Sequence, residues 1–159
     1  MKKVLSLTMA LAMIGTALTG CGAKTVAPET SAEPTQQTAS VRQEQSQTEK
    51  ALALINTFAT GDTDTARSLL ADGYIQHNLA YGTGADAFIG SVEYLASADV
   101  KTTVNNIRAF EDGDKVFLQT IYNFAGAGEQ VAFDIFRFDE NGKIAEHWDV
   151  METIADEST

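Results

Sequence analysis

The chain has 159 residues but only one cysteine, two prolines and two histidines, and its 11 basic residues are outnumbered by 22 acidic ones. Each shortage excludes something. A single cysteine can neither staple a disulfide scaffold nor build a multi-cysteine zinc site. With a net charge of −11, the chain lacks the clustered Lys and Arg that phosphate contacts require, so no nucleic-acid partner is expected. There is no glycine-rich phosphate loop and no Gly-x-Ser-x-Gly elbow. The histidines lack His-Glu-x-x-His spacing, and Asp62, Asp64 and Asp72 lack the glycine and closing glutamate of a calcium loop, so no metal or other cofactor is expected. What is present is ordinary for a globular protein: 44% apolar residues, in a length that suits one compact domain.

The N-terminus reads as an address. Lys2 and Lys3 precede a mostly apolar run from Val4 to Leu18, which is short of the ~20 residues needed to cross a bilayer and fits a secretory signal. The run closes on Leu18-Thr19-Gly20-Cys21, which resembles a bacterial lipobox. That resemblance implies cleavage after residue 20, a diacylglyceryl group on Cys21, and an extracytoplasmic protein anchored to a bacterial membrane. Cleavage removes two lysines and no acid, taking the net charge from −11 to −13, so the lipid rather than any basic patch has to hold the protein at the membrane. Residues 21–47 comprise the lipidated cysteine and a stretch rich in Thr, Ser, Ala, Gln and Glu that contains both prolines. Such a composition cannot bury a core, and it reads as a flexible tether with a reach of about 25–30 Å.

A folded domain is expected over 48–155, followed by a short tail at 156–159. Leu52, Leu54, Ile55 and Phe58 recur at helical spacing and stop at Gly61. Asp62 or Thr63 caps a second helix, expected to end at Gly73, and a short extended segment follows at 74–78. A third helix is expected from about Ala85 to Ala96, with Phe88, Val92 and Leu95 on one face. The period then changes to two, giving strands at 100–110, 114–124, 129–138 and 143–153, punctuated by Asp112-Gly113, by Gly126 and Gly128, and by Asn141-Gly142. Helices gathered on one face of an antiparallel meander define an α+β domain.

The last hairpin carries the candidate chemistry. A two-residue type I′ loop at Asn141-Gly142 makes opposed residue numbers sum to 283. One face then pairs Arg137 with Glu146, Ile135 with Trp148 and Phe133 with Val150, as cross-strand energetics favours. The other pairs Phe138 with Ala145, Phe136 with His147 and Asp134 with Asp149. Two directly opposed carboxylates repel unless one keeps a proton, and an acid poised in this way can act as a general base near neutrality. His77 shares a strand face with Ile75, and is expected to point into the same interior.

Tyr-Ile-Gln-His-Asn at 74–78, Phe-Glu-Asp-Gly-Asp-Lys-Val-Phe-Leu at 110–118 and Asp-Ile-Phe-Arg-Phe-Asp-Glu-Asn-Gly-Lys-Ile-Ala-Glu-His-Trp-Asp-Val at 134–150 together resemble the SnoaL-like branch of the nuclear transport factor 2-like superfamily. The resemblance implies a cone-shaped barrel, with three helices packed in a curved, mainly antiparallel sheet around a deep pocket, and commonly a homodimer formed through the sheet. In polyketide cyclases of this kind an aspartate on the late strands is the base of an intramolecular aldol condensation that needs no metal or cofactor. Asp149 matches that base by position, and Asp134 falls near the polar position that supports it. Relatives often carry proline after Gln-His-Asn, where this chain has Leu79-Ala80-Tyr81.

Three functional readings follow. The first is a cofactor-independent acid/base enzyme acting on a small molecule, with Asp149 as base, Asp134 and His77 orienting or donating, and Tyr81, Phe136, Phe138 and His147 against the ligand. The second is a non-catalytic surface module that binds a small ligand or peptide. The third is a structural domain that dimerises through Phe133, Ile135 and Trp148.

Overall fold

A computed structural model of the protein describes residues 44–155. The expected signal segment, Cys21, most of the expected tether and the tail at 156–159 lie outside the described residues. Among the described residues no helix is long and apolar enough to cross a membrane.

Helix α1 spans Gln47–Thr60 and begins with a capping box, in which the Ser46 side chain accepts from the Glu49 backbone N–H and the Glu49 carboxylate accepts from the Ser46 N–H. Such a box satisfies two orphan donors of the first turn, and losing the Ser cap costs about 1 kcal/mol. The helix stops at Gly61, whose φ of 74° and close approach to Ala96 leave no room for a side chain. Helix α2 (Thr63–Leu69) is capped by Asp62, whose carboxylate accepts from the N–H and hydroxyl of Thr65. It ends at Leu69 rather than at Gly73. Leu70 is already extended and opens strand β1 (Leu70–Gln76), so Gly73 lies inside a strand with nothing near its α-carbon for a side chain to meet. Helix α3 occupies Ala85–Ser97.

Strands β2 (Thr103–Asp112), β3 (Lys115–Asn123), β4 (Glu129–Phe138) and β5 (Ile144–Thr153) form the antiparallel meander. Strand β1 adds to β5 in parallel, giving a five-stranded mixed sheet in the order β1-β5-β4-β3-β2. Alternation along β3 buries Val116, Leu118, Thr120 and Tyr122 on the helix side. These pack with Leu54 and Ile55 of α1, Phe88, Ile89 and Val92 of α3, and Ala132 and Phe136 of β4. The opposite face of the sheet carries Phe110, Phe117, Ile135 and Trp148 in one row, each paired with the next across the strands.

The β4–β5 turn differs from the type I′ expectation. A type I′ loop needs positive φ at both central residues, and here only Gly142, at φ 68°, has it. The Gly142 N–H bonds to the Asp139 carbonyl, and Asp139 opposes Lys143 across a three-residue loop. The Asp139 carboxylate accepts from the backbone N–H groups of Asn141 and Lys143 and holds the loop closed. Phe138 consequently pairs with Ile144 rather than Ala145. A bulge at Ala145 then restores the register, so Arg137–Glu146, Phe136–His147 and Asp134–Asp149 are opposed as the arithmetic expected.

Candidate functional site

A cavity of about 500 Å³ opens between the helices and the sheet, within the range of small-molecule sites. Phe58 of α1, Phe88 and Leu95 of α3, and Tyr122, Phe124 and Met151 supply apolar walls. Their rings hold one another: Phe58 lies 4.9 Å from Phe88, and Tyr122 stacks on Phe124 at 4.9 Å. Tyr81 and Tyr94 line the cavity while remaining 46% and 73% exposed, which places the mouth beside them. The polar end is built by Tyr74 and Gln76 of β1, Asp134 of β4, and His147 and Asp149 of β5.

This polar end is a connected hydrogen-bond network. Asp134 accepts from the Tyr122 hydroxyl on Oδ2 at 2.9 Å and meets His147 Nε2 on Oδ1 at 3.1 Å. Asp149 accepts from Asn78 Nδ2 on Oδ1 at 2.5 Å and from Gln76 Nε2 on Oδ2 at 3.2 Å. His147 Nε2 also lies 3.9 Å from Asp149 Oδ2, so the imidazole edge stands between the two carboxylates. Each of the four carboxylate oxygens has a donor within this network, which is how buried polar groups are made tolerable.

Two amides fix the direction of this network. Gln76 Oε1 accepts from the Asn78 backbone N–H, and Asn78 Oδ1 accepts from the Ala80 backbone N–H. Backbone N–H groups only donate, so both amides turn their NH₂ groups inward. Gln76 Nε2 then donates to His147 Nδ1 at 2.9 Å, and the ring carries its proton on Nε2, toward Asp134. Phe136 stacks beneath the same ring at 4.2 Å, and Tyr74 OH lies 3.3 Å from Nδ1. Burial, then the charges of Asp149 and Asp134, push the Tyr74 hydroxyl well above the ordinary tyrosine value. The same causes raise Tyr81, while burial and the neighbouring Asp134 raise Tyr122. All three phenols are therefore protonated donors near neutrality.

Of the residues singled out from the sequence, the structure brings Asp134, Asp149, His147 and Tyr81 to the cavity. Phe136 supports the His147 ring from below without lining the cavity, and Phe138 is a buried core residue away from it. His77 is corrected: it lies on the outer face of the sheet, bonded to Glu146 at 2.7 Å and stacked on Trp148 at 4.3 Å. It does share a strand face with Ile75, but that face points outward. β1 runs beside β5 with Gln76 opposite the inward-facing His147 and Ile75 opposite the outward-facing Glu146. Gln76, Asn78, Tyr74 and Tyr122 were not picked out from the sequence. The signal that could have found them is strand parity, because Tyr74 and Gln76 share one face, and Tyr122 shares the β3 face of Leu118, the residue opposite Asp134.

Helices on one face of a mixed sheet, enclosing a pocket with an acidic end, define an α+β domain built to surround a small molecule. The chain belongs to the SnoaL-like domain family, whose profile matches residues 51–147. No curated protein matches the chain. Solved structures share the fold, among them an NTF2-like protein of unknown function from Cytophaga hutchinsonii, with 16% identity and a TM-score of 0.59 over 70% of this chain and 94% of that one. IdmH of Streptomyces antibioticus, a proposed polyketide cyclase, is 18% identical with a TM-score of 0.55, covering 68% of this chain and 93% of its own. An LEH-like epoxide hydrolase of M. tuberculosis is 18% identical with a TM-score of 0.56, covering 65% of this chain and 80% of its own.

Proposed function

We propose that this chain is a lipid-anchored, extracytoplasmic SnoaL-like protein whose pocket binds a small carbonyl compound and removes a proton beside the carbonyl, with Asp149 as base. One observation carries the reading: Asp149 lines an apolar cavity with its side chain 4% exposed, held by two amides of β1 and its following loop, with no Lys or Arg paired to it among the described residues. A carboxylate fixed in orientation but not neutralised by a cation keeps its basicity available to a ligand. Tyr74 and Tyr81, protonated at the same cavity, are the donors available to an enolate oxygen as charge develops. Aldol condensation and isomerisation both begin with this step. The alternative, a non-catalytic binding module, draws on the fact that every carboxylate oxygen already has a donor.

The reading includes a homodimer formed through the outer sheet face, where Phe110, Phe133 and Val150 are 60%, 51% and 65% exposed. The test of function is deuterium incorporation at the α-carbon of a panel of cyclic ketones and β-diketones in D₂O, followed by NMR. Exchange that depends on Asp149 supports catalysis; saturable ligand binding with no exchange supports the binding module.

A further inference from the structure

The geometry points to a ligand that is a compact aromatic or polycyclic molecule bearing a protonated amine, with carboxylates and phosphates excluded. This rests on the small-molecule reading of the pocket and adds the charge of what it holds. Asp134 and Asp149 are both buried at the cavity, their side chains 5% and 4% exposed. Their donors are two carboxamides, a phenol and an imidazole N–H, which satisfy hydrogen bonds without cancelling charge. Among the described residues, no Lys or Arg lines the cavity. His147 turns Nδ1 to the Gln76 amide, from which it accepts, and turns Nε2 toward Asp134. Arg137 is spent on the outer face, ion-paired with Glu146.

Buried charge without a counter-charge is costly, and the low dielectric of a closed pocket magnifies what an ion of opposite sign gains on entering. Burial first, and then the charges of Asp149 and Asp134, raise the Tyr74 and Tyr81 phenols on the same cavity wall. The other recognition element of an organic cation is also present, since Tyr81, Tyr94, Phe88 and Phe58 line the same cavity as the carboxylates. An anionic ligand would instead bring a third negative charge to the same end of the cavity.

The test uses three probes of nearly equal shape, 2-naphthylmethylamine, 2-naphthylmethanol and 2-naphthoate, titrated calorimetrically into the full chain near neutral pH. The expected order is the amine about tenfold tighter than the alcohol, with no binding of the carboxylate. Asp134→Asn and Asp149→Asn are each expected to lower the ratio of amine to alcohol affinity severalfold. An amine that binds no tighter than the alcohol, a carboxylate that binds at all comparably, or no binding of the amine at millimolar concentration overturns the proposal. The ranking on the unaltered chain decides the matter even where an asparagine variant fails to fold. Binding of the alcohol without an amine preference refutes the charge and leaves the pocket standing; an amine preference without ketone exchange refutes catalysis and leaves the charge standing.

Discussion

The carboxamide of Gln76 donates to Nδ1 of His147 at 2.9 Å, and this contact places the imidazole proton on the side facing Asp134. The contact reaches across the parallel β1–β5 pair, where the two residues are opposed. Gln76→Leu removes the donor to Nδ1 and one of the two amides on Asp149. The expected outcomes are ring nitrogen shifts of His147 that move from a single Nε2–H tautomer to a mixture, and a loss of about 1–3 kcal/mol in denaturant unfolding. Unchanged ring shifts would contradict the network.

The outer face offers a pH prediction. Hydrogen bonds from His77, and then from Arg137, hold the Glu146 carboxyl below its ordinary value of 4.5. A carboxyl whose folded pKa is depressed contributes stability above its unfolded pKa, and that contribution is lost as pH falls through the folded pKa. The melting temperature of the parent should therefore exceed that of Glu146→Gln at pH 6. The gap should close as pH is lowered from about 4.5 toward and below the depressed folded value. A gap that widens in acid would refute the ion-pair account.

Phe133 and Val150 face each other across β4 and β5, both more than half exposed. If a second copy covers them, Phe133→Lys should turn a dimer into a monomer in light scattering at micromolar concentration, with the melting temperature falling only through loss of assembly. A parent chain that is monomeric under the same conditions contradicts the dimer.

Cys21 is the only cysteine of the chain and stands where the lipobox resemblance puts the lipid. Labelled fatty acid should enter the parent protein in a bacterial host and be absent from Cys21→Ala, which should also leave the membrane fraction. Label retained in the alanine variant contradicts anchoring at this residue.

Much of this arrangement was legible in the sequence because it is set by local periods. The change from helical spacing to alternation near residue 100 gave the element order, and the pairing arithmetic set Asp134 against Asp149. That arithmetic succeeded through two compensating departures. The loop carries three residues rather than two, and the bulge at Ala145 restores the count, since bulges leave no composition signal of their own. Gly73 misled because a glycine after a helical run reads as a cap, whereas the pairing that makes β1 a strand comes from β5, more than sixty residues later. The same non-local pairing decides which face of β1 is inside. Ile75 has the apolar side chain yet is 45% exposed, while Gln76 turns toward the cavity. Polar residues on a short strand resemble solvent-facing ones until their partners are known, which is why Gln76 and Asn78 escaped notice.

The most direct measurement is α-carbon deuterium exchange of carbonyl compounds in D₂O, compared between the parent chain and Asp149→Asn. Loss of one well-placed general base removes about 10²–10⁴ in rate. The account predicts exchange by the parent, a fall of that size in the variant, and retained binding of the same compound. Equal exchange by the two proteins, or none by the parent with a compound that demonstrably occupies the pocket, would contradict the assignment of Asp149 as the base.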